Sequence, residues 1–269
     1  GANQIGDVFT EGGGEVVDVQ YYDLAQTEYG AEVNSLVAAD PEAIDLASLV
    51  PASERQAYDA RRYIRGLVDR GSFFEIQAKW ARELTIGFAR LAGEVVGVVG
   101  NNSMFKGGVL FVDSADKAAR FLQLCDAFDV PVLFLCDTPG IMVGPEAEAT
   151  GLVRHVNRLF VAGANLTVPF GTIVLRKGYG LGAQAMAGGT FKAPLFCVAW
   201  PTGEVGGMGL EGAVRLGFRK ELEAIDDPDE REQAFESMVA RAYRHGKAVN
   251  AASHFELDDV IDPAESRRW

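Results

Sequence analysis

The chain contains few of the residues that form disulfides or hold metal ions. Its 269 residues include three cysteines and three histidines, and no Cys/His pair has the spacing of metal ligands. Cys125, Cys136 and Cys197 are isolated from one another and lie among apolar neighbours. An odd number of scattered cysteines is typical of buried, reduced thiols. The sequence therefore predicts neither a metal site nor a disulfide framework.

Positive charge and long apolar runs are also scarce. The chain has 25 Lys and Arg against 38 Asp and Glu, a formal net charge of -13, whereas a nucleic-acid partner requires a basic surface. No apolar run approaches the roughly 18–20 residues that cross a bilayer, and residues 1–17 lack the basic and apolar regions of a signal peptide. We expect neither nucleic acid nor membrane as a partner, and a cytoplasmic location.

The basic residues that are present concentrate between Arg55 and Arg82. Two interpretations are open for this cluster, a solvated helix face and a phosphate-binding patch, and the helix face is favoured. The apolar content of 48% with 31 glycines fits a globular α/β protein with many tight turns. Residues 1–48 are acidic and weakly patterned and are predicted to be a leader or linker. Residues 49–269 are predicted to form the folded domain.

The strongest pattern in the chain lies between residues 131 and 183. An apolar run at 132–136 ends at the break DTPG, residues 137–140, and a helical pattern follows. A β-branched run at 172–175 then leads into RKGYGLGA, residues 176–183, which we predict to be a glycine-rich loop. The whole stretch is typical of a βαβ unit. Ligands usually bind at the carboxyl ends of parallel strands, so this is the candidate site.

Other patterns fill in the rest of the fold. We predict a hairpin of strands 84–91 and 95–99, a helix that is N-capped by Asp59, and a long helix that is N-capped by Ser114 and ends near Phe128. Further expectations are a helix within 41–49, a strand at 195–200, a helix at 210–216 and amphipathic helices within 220–243. This order describes repeated ββα or βα units with right-handed crossovers. The predicted inward-facing residues of the central helices include Phe121, Leu122, Cys125, Phe128, Leu152, Val153, Val156, Leu159 and Phe160.

The sequence lacks the motifs of several common enzyme classes. There is no G-x-x-x-x-G-K-[ST] phosphate loop, and GYGLG at 178–182 does not have the spacing G-x-G-x-x-G. A catalytic pair of Ser103 and His155 is not supported by a nucleophile-elbow motif, and a structural role is favoured for His155. What remains is backbone: glycines at strand ends can present N–H groups to a developing oxyanion. The alternative is that these glycines only permit tight turns and close packing.

A series of motifs in a fixed order resembles one family. The motifs are SADKAARF at 114–121, DTPG at 137–140, RKGYG at 176–180 and AWPTGE at 199–204. They are similar to motifs of the carboxyltransferase (β) subunits of biotin-dependent acyl-CoA carboxylases, of the propionyl-CoA carboxylase β type. The resemblance covers about residues 49–257 and corresponds to the carboxy-terminal half-domain of that family.

The resemblance implies a crotonase-like (ClpP/crotonase) α/β fold, a spiral of ββα units. Family members have two such half-domains, and their active sites form between the amino half of one subunit and the carboxy half of another, usually in a hexamer. The implied partners are an acyl-CoA, a biotin carboxylase and carrier subunit that bears the biotin, and an amino-half carboxyltransferase domain in a homo- or hetero-oligomer. The chain is therefore expected to be a fragment or one subunit of a split enzyme.

The family resemblance also implies a mechanism without a side-chain base. Carboxybiotin releases CO₂, the biotin enolate removes the α-proton of the acyl-CoA, and backbone N–H pairs stabilise the enolates. The positions that match the carboxy-half pair, usually Gly-Ala, are Leu181 and Gly182 here, and these are the predicted catalytic residues. Gln184 occupies a position that helps set acyl-chain preference in the family. The predicted substrate-binding positions are Gly180, Ala183, Gln184, Gly107, Gly108 and Gly140.

Two alternatives to a carboxyltransferase remain open from the sequence. One is a stand-alone crotonase-fold hydrolase or hydratase that uses Glu146, Glu148 or His155, although the two glutamates equally suit a solvated first helical turn. The other is a non-catalytic assembly module, whose exposed apolar face would pair with a second half-domain.

Overall fold

The fold was obtained as a computed structural model that describes residues 46–51, 53 and 56–269. Nearly all of the predicted leader, including residues 1–45, lies outside the described residues, as does Arg55. The predicted helix within 41–49 is seen only in its last turn, α1, Leu46–Leu49. In the part of the chain that is described, no helix is both long and apolar enough to cross a membrane.

The core of the fold is a mixed sheet in the order β1-β2-β3-β4-β5-β6-β8, and β7 pairs with the outer part of β5. The first three strands are antiparallel neighbours, and β3, β4, β5, β6 and β8 run parallel. The predicted hairpin is confirmed, with Leu91 opposite Glu94. The strands are β1 Phe74–Ile76, β2 Leu84–Leu91, β3 Glu94–Asn101, β4 Val132–Thr138, β5 Phe170–Tyr179, β6 Phe196–Ala199, β7 Glu204–Gly206 and β8 Asp259–Val260.

Helices cover both faces of the sheet. Along β4, Leu133 and Leu135 belong to one buried cluster and Phe134 and Cys136 to the other, because successive side chains of a strand point to opposite faces. The cluster of Phe134 and Cys136 packs on α3 (Val112–Ala127) and α5 (Leu152–Ala164), and the cluster of Leu133 and Leu135 packs on α2 (Ala60–Leu67). The helices after α1 are α2 Ala60–Leu67, α3 Val112–Ala127, α4 Pro145–Ala149, α5 Leu152–Ala164, α6 Gly180–Ala185, α7 Leu210–Gly217, α8 Arg219–Glu223, α9 Pro228–Gly246 and α10 Ala248–Ser253.

Local signals account for several element boundaries. Asp59 caps α2 as predicted, since its carboxylate accepts a hydrogen bond from the Arg61 amide at 3.0 Å. The helix predicted at 210–216 is α7, and the amphipathic stretch at 220–243 forms most of α8 and α9. These helices bury a small cluster of their own around Val214 and Phe235.

Four predictions about these elements are wrong. Residues 176–183 are not a loop: β5 continues to Tyr179 and α6 begins at Gly180, because Lys177, Gly178 and Tyr179 pair with β7. Ser114 is not the N-cap of α3, which begins at Val112. Val153 and Phe128 were expected to face inward but are exposed, because Val153 lies on the outer face of α5 and Phe128 follows the end of α3.

Candidate functional site

The candidate site is built where β4 and β5 end next to each other. Their pairing changes register between Cys136 and Thr138, so that Thr138 lies opposite Gly178. The break 137–140 follows β4, and α6 follows β5 without an intervening residue. Parallel strands bring these two chain segments to the same edge of the sheet, as the βαβ pattern predicts.

The segment after β4 is tied to the loop that follows β3. The Thr138 hydroxyl donates to the carbonyl of Gly108 at 2.8 Å and accepts from the amide of Gly140 at 3.2 Å. The Leu110 amide donates to the Gly140 carbonyl at 3.0 Å. Gly107, Gly108 and Gly140 have φ angles of 64°, 78° and 128°, values that glycine adopts without the cost of a Cβ. The predicted residues Gly108 and Gly140 therefore belong to one local structure.

The segment after β5 changes from strand to helix within one residue. Tyr179 is extended, and Gly180 has a φ of 57° and begins α6. Leu181 and Gly182 occupy the first turn of this helix. The first N–H groups of a helix have no acceptor within the helix and carry partial positive charge. The side chain of Leu181 is 61% exposed, so it lies away from the core.

Two close backbone contacts hold the start of α6. A Cβ on Gly182 would lie 2.6 Å from the Cα and carbonyl carbon of Gly140. A Cβ on Gly180 would lie 2.8 Å from the carbonyl oxygen of Gly207. Real Cβ atoms do not approach backbone so closely, so both positions require glycine unless the backbone moves. The structure thus brings Gly108, Gly140 and Gly182 together in a continuous series of contacts.

The other predicted positions fall in or beside this arrangement. Gly107 is exposed at the turn of the loop after β3, Ala183 is fully buried in α6, and Gln184 is half-buried. Met186, which directly follows α6, is fully buried in the core cluster. Its side chain packs the core.

A buried charge network lies directly beneath the site. The Asp137 carboxylate accepts from Arg176 Nη2 at 2.9 Å and from the Lys177 amide at 3.0 Å. Arg176 also donates to the carbonyls of Ser53 and Gln56 at 2.7 and 2.9 Å. Asp137 and Arg176 are almost completely buried, and removal of one member of such a pair typically costs about 3–5 kcal/mol. This network fixes the ends of β4 and β5 relative to each other.

An open cleft of about 230 Å³ borders the same strand ends. The residues that line it are Pro139, Lys177, Tyr179, Gly209, Leu210, Glu211 and Tyr243. Its walls combine aromatic and charged side chains of β5, α7 and α9 with Gly209, which precedes α7. The cleft adjoins the residues that precede Gly140 and Gly180.

Side chains proposed for other chemistries are placed elsewhere or engaged in structural contacts. Ser103 is buried and its hydroxyl bonds the backbone of Tyr58, not His155. His155 Nδ1 lies 2.6 Å from Asp116 Oδ2, which joins α5 to α3. Glu146 and Glu148 are exposed on α4. Among the described residues, no three His, Cys, Asp or Glu side chains could together hold a metal ion.

The basic cluster near the start of the domain is in part a set of ion pairs. Arg61 donates to Glu75 at 2.7 Å and pairs with Asp59 at 3.1 Å. Arg62 and Arg65 are exposed on α2. This arrangement fits the favoured interpretation of a solvated helix face.

The cysteines are buried and free. Burial raises the pKa of Cys125 and of Cys197 to about 12, and it raises the pKa of Cys136 well above the ordinary value. Neutral thiols are poor nucleophiles. The expectation of buried, reduced thiols is confirmed for all three positions.

Two buried features were missed in the sequence. The ammonium of Lys117 lies within 2.6–3.3 Å of the carbonyl oxygens of Gln77, Trp80, Ala81 and Leu84. Glu204 is buried between Tyr179 and Lys247. Both residues lie within or next to motifs of the resemblance, SADKAARF and AWPTGE, but periodicity alone does not reveal a buried charge.

Comparisons with known proteins agree with this architecture. Residues 19–269 match the family described as the Carboxyl transferase domain. The chain belongs to this family. The match begins within the segment predicted as leader, and the boundary between residues 48 and 49 stays a prediction.

Relatives in the carboxyl transferase family resemble the chain over most of its length. It is 38% identical to the propionyl-CoA carboxylase carboxyltransferase subunit of Haloferax mediterranei, over 85% of this chain and 44% of that protein. A solved single-chain, multi-domain long-chain acyl-CoA carboxylase superposes with a TM-score of 0.78 and 52% identity, over 85% of this chain and 22% of that one. Transcarboxylase 12S, solved as a hexamer assembly, superposes with a TM-score of 0.77 and 36% identity, over 85% of this chain and 44% of that one.

These matches confirm the predicted crotonase-like fold. They also show that the chain spans less than half the length of the curated relatives it matches. The resemblance to the carboxyltransferase subunits of acyl-CoA carboxylases, inferred from the motifs, is likewise confirmed.

Proposed function

We propose that this chain is a carboxyltransferase domain that moves a carboxyl group from carboxybiotin to the α-carbon of an acyl-CoA. The observation that carries the proposal is the contact series Gly108, Gly140 and Gly182 at the start of α6. It places unencumbered backbone at the ends of two parallel strands in a chain of the carboxyl transferase family.

In this proposal the N–H groups of Leu181 and Gly182 are the catalytic donors. They lie in the first turn of α6, where the helix offers them no acceptor, and they would stabilise negative charge that develops on a substrate oxygen. Fixed backbone dipoles need little reorganisation during the reaction, and the close packing of Gly182 on Gly140 keeps them fixed. Biotin, held on a carrier subunit, would supply the carboxyl group.

The side chains at the site are compatible with hydrogen-bond donors that are backbone N–H groups. Leu181 departs from the glycine that usually matches this position, but its side chain is 61% exposed and does not fill the turn. Gly107, Gly108, Gly140, Gly180 and Ala183 would border the substrates. Gln184 would contribute to the choice of acyl chain, since it is half-buried on the same short helix.

A second protein domain would complete the site. Several large apolar side chains are exposed around it, namely Met142, Val143, Val153 and Leu181. Exposed apolar surface of this kind typically marks an interface, and an amino-half carboxyltransferase domain is the proposed occupant. A hexamer-type oligomer in the cytoplasm, with a biotin carboxylase and carrier subunit as further partners, belongs to the same proposal.

The test is transfer of radiolabelled carboxylate from malonyl-CoA or methylmalonyl-CoA to free biotin, with and without an amino-half protein. We expect transfer only in the mixture. Leu181→Pro removes one N–H without removing a hydrogen bond within the helix, because Leu181 lies in the first turn, and transfer should fall about 10²–10³-fold. Leu181→Ala keeps the N–H and is the matched control, with transfer within a few-fold of the unmodified chain.

The alternatives predict different results. A non-catalytic assembly module would bind the amino-half protein and give no transfer in any mixture. Equal losses in Leu181→Pro and Leu181→Ala would show that the side chain, not the N–H group, matters. The hydrolase or hydratase alternative has lost its support, because His155 is paired with Asp116 and the two glutamates are exposed on α4.

A further inference from the structure

A buried carboxylate lies directly behind the start of α6. Glu204 is 6% exposed, and both of its oxygens are engaged. Tyr179 Oη donates to Oε2 at 2.8 Å, and Lys247 Nζ lies 2.6 Å from Oε1. A buried carboxylate is costly unless it is paired and hydrogen-bonded, and here both conditions are met. Neither of these two partners of the Glu204 carboxylate belongs to the predicted catalytic pair, Leu181 and Gly182.

The backbone places this network at the junction of three segments. β7 pairs with the outer end of β5, with Glu204 opposite Lys177 and Gly206 opposite Tyr179. Glu204 also forms an isolated antiparallel bridge with Lys247, and the Ala248 amide donates to the Gly203 carbonyl at 2.9 Å. Lys247, the residue between α9 and α10, is therefore attached to β7, the strand beside the candidate site.

Tyr179 is the last residue before α6, so its torsion angles aim the helix. Its φ and ψ of -106° and 134° and the φ of 57° at Gly180 turn the chain from strand to helix in one step. Any rotation about Tyr179 redirects the N–H groups of Leu181 and Gly182. The contacts of Gly180 with Gly207 and of Gly182 with Gly140 limit how closely the helix can approach its neighbours. The hydrogen bond from Tyr179 to Glu204 restrains the ring and the backbone that carries it.

We infer that Glu204 is a positioning residue, which holds Tyr179 and thereby orients the N–H groups of Leu181 and Gly182. Lys247 holds Glu204 in place from the helical side. The kinetic consequence rests on the proposed function, because it requires that these N–H groups act on substrate. The orientation itself does not depend on that function and can be measured separately.

The first experiment measures orientation in the chain alone. Residual dipolar couplings report the direction of each N–H bond, and we expect those of Leu181 and Gly182 to change in Glu204→Ala and in Tyr179→Phe. Glu204→Gln keeps an oxygen that accepts from Tyr179, so its couplings should return to the unmodified values. The couplings of Gly107 and Gly108, on the other loop, should be unchanged in every variant.

A control variant separates positioning from general destabilisation. Glu75 on β1 accepts from Arg61 at 2.7 and 3.0 Å, at the far edge of the sheet. Glu75→Ala removes a comparable ion pair and should lower the melting temperature without altering the couplings of Leu181 and Gly182. If those couplings are also unchanged in Glu204→Ala and Tyr179→Phe, the inference is overturned.

The second experiment measures transfer in the mixture with the amino-half protein. We expect kcat to fall about 10- to 100-fold in Glu204→Ala, since small misplacements of catalytic groups have effects of this size, with KM values within twofold. Glu204→Gln should recover most of the loss. If the unmodified mixture shows no transfer, the proposed function fails and the couplings alone decide the inference. If transfer occurs and Glu204→Ala leaves kcat unchanged, the inference fails and the proposed function stands.

Discussion

The two loops that meet at the candidate site are held in different ways. At the start of α6, backbone packs directly against backbone. Gly180 approaches Gly207, and Gly182 approaches Gly140, too closely for a Cβ to fit. The loop after β3 is tied to Thr138 and Gly140 near its end, whereas its tip at Phe105 and Lys106 has side-chain contacts from residues 82–83. Arg82 lies 3.7 Å from the centroid of the Phe105 ring, and Lys106 lies 3.7 Å from the Glu83 carboxylate.

This difference separates a rigid wall of the site from an adjustable one. Backbone contacts leave no room for substitution, whereas side-chain contacts can change one at a time. The proposed donors Leu181 and Gly182 lie on the rigid wall. Gly107, Lys106 and their neighbours lie on the adjustable wall. We therefore expect the chemistry to depend on the α6 side and the fit to substrates to vary on the β3 side.

The largest effect is expected behind the adjustable wall, at Lys117. Its buried ammonium shares its three N–H donors among four carbonyls of residues 77–84, and Gln77 and Ala81 in that segment have positive φ angles. Lys117→Met leaves those carbonyls without the donor, and the free energy of unfolding should fall by about 3–4 kcal/mol. Urea unfolding measures the change.

The control for Lys117 lies in the same segment. Lys79 is exposed, and Lys79→Met should change the free energy of unfolding by less than about 0.5 kcal/mol. Equal losses in both variants would mean that charge in the segment, not the buried carbonyl contacts, is what stabilises it.

The next largest effect is expected on the rigid wall, at Gly182. An added Cβ would lie 2.6 Å from backbone atoms of Gly140, so Gly182→Ala should cost about 2–3 kcal/mol of stability through overpacking and displace α6. Gly217→Ala is the matched control, because a Cβ there meets nothing within 4 Å. If Gly182→Ala is as stable as Gly217→Ala, the backbone around Gly140 can move to accommodate the added Cβ.

A smaller and graded effect is expected from the two neighbouring glycines of the loop after β3, of which Gly107 lies on the adjustable wall and Gly108 packs against the backbone of Asp137. Both have positive φ angles, but a Cβ on Gly108 would lie 2.8 Å from the Asp137 carbonyl whereas a Cβ on Gly107 meets nothing within 4 Å. Gly107→Ala should cost about 1 kcal/mol for its left-handed backbone, and Gly108→Ala about 1 kcal/mol more. The melting temperatures of the two variants separate backbone strain, which both share, from crowding, which only Gly108→Ala adds. A lower melting temperature for Gly107→Ala than for Gly108→Ala would contradict the close approach of Gly108 to Asp137.

The last expected effect is a pH dependence at Lys117. Burial lowers its pKa to about 8, and the charges of Glu75 and Glu83 oppose this shift. Between about pH 8 and the ordinary lysine pKa the unfolded chain binds more protons than the folded chain, so this group makes the free energy of unfolding rise with pH. The unmodified chain should therefore gain stability relative to Lys117→Met across that window. Urea midpoints at several pH values measure the difference, in which the shared cysteine titrations cancel. A difference that does not vary with pH would place the lysine pKa at its ordinary value.

Much of the fold could be predicted from local pattern. The apolar run of β4, the helical spacing of α5 and the β2–β3 hairpin were confirmed, because period and turn residues act over a few positions. The end of β5 was predicted wrongly for a related reason. Residues 176–179 contain Arg, Lys and Gly and resemble a loop, yet they form a strand because β7 pairs with them from 27 positions further along the chain, as between Lys177 and Glu204.

The candidate site was predictable in part. The resemblance pointed to Gly140, Gly180 and Gly182, and the structure brings these residues into one arrangement. Their roles as donors or binding positions stay predictions. The role of Glu204 could not be foreseen, because neither spacing nor composition shows that a carboxylate lies between Tyr179 and Lys247.

By itself the sequence determined the family, the order of the strands and helices and the end of the sheet where the candidate site lies. Period, turn chemistry and ordered motifs carry that information over short distances. The tertiary structure alone decided which glycines touch, which charges are buried and what holds them. Gly140 and Gly182, or Lys117 and the carbonyls of 77–84, are far apart in sequence. Their contacts depend on how parallel strands and the helices between them pack, because backbone groups and buried charges are satisfied by whichever segments the packed fold brings within reach.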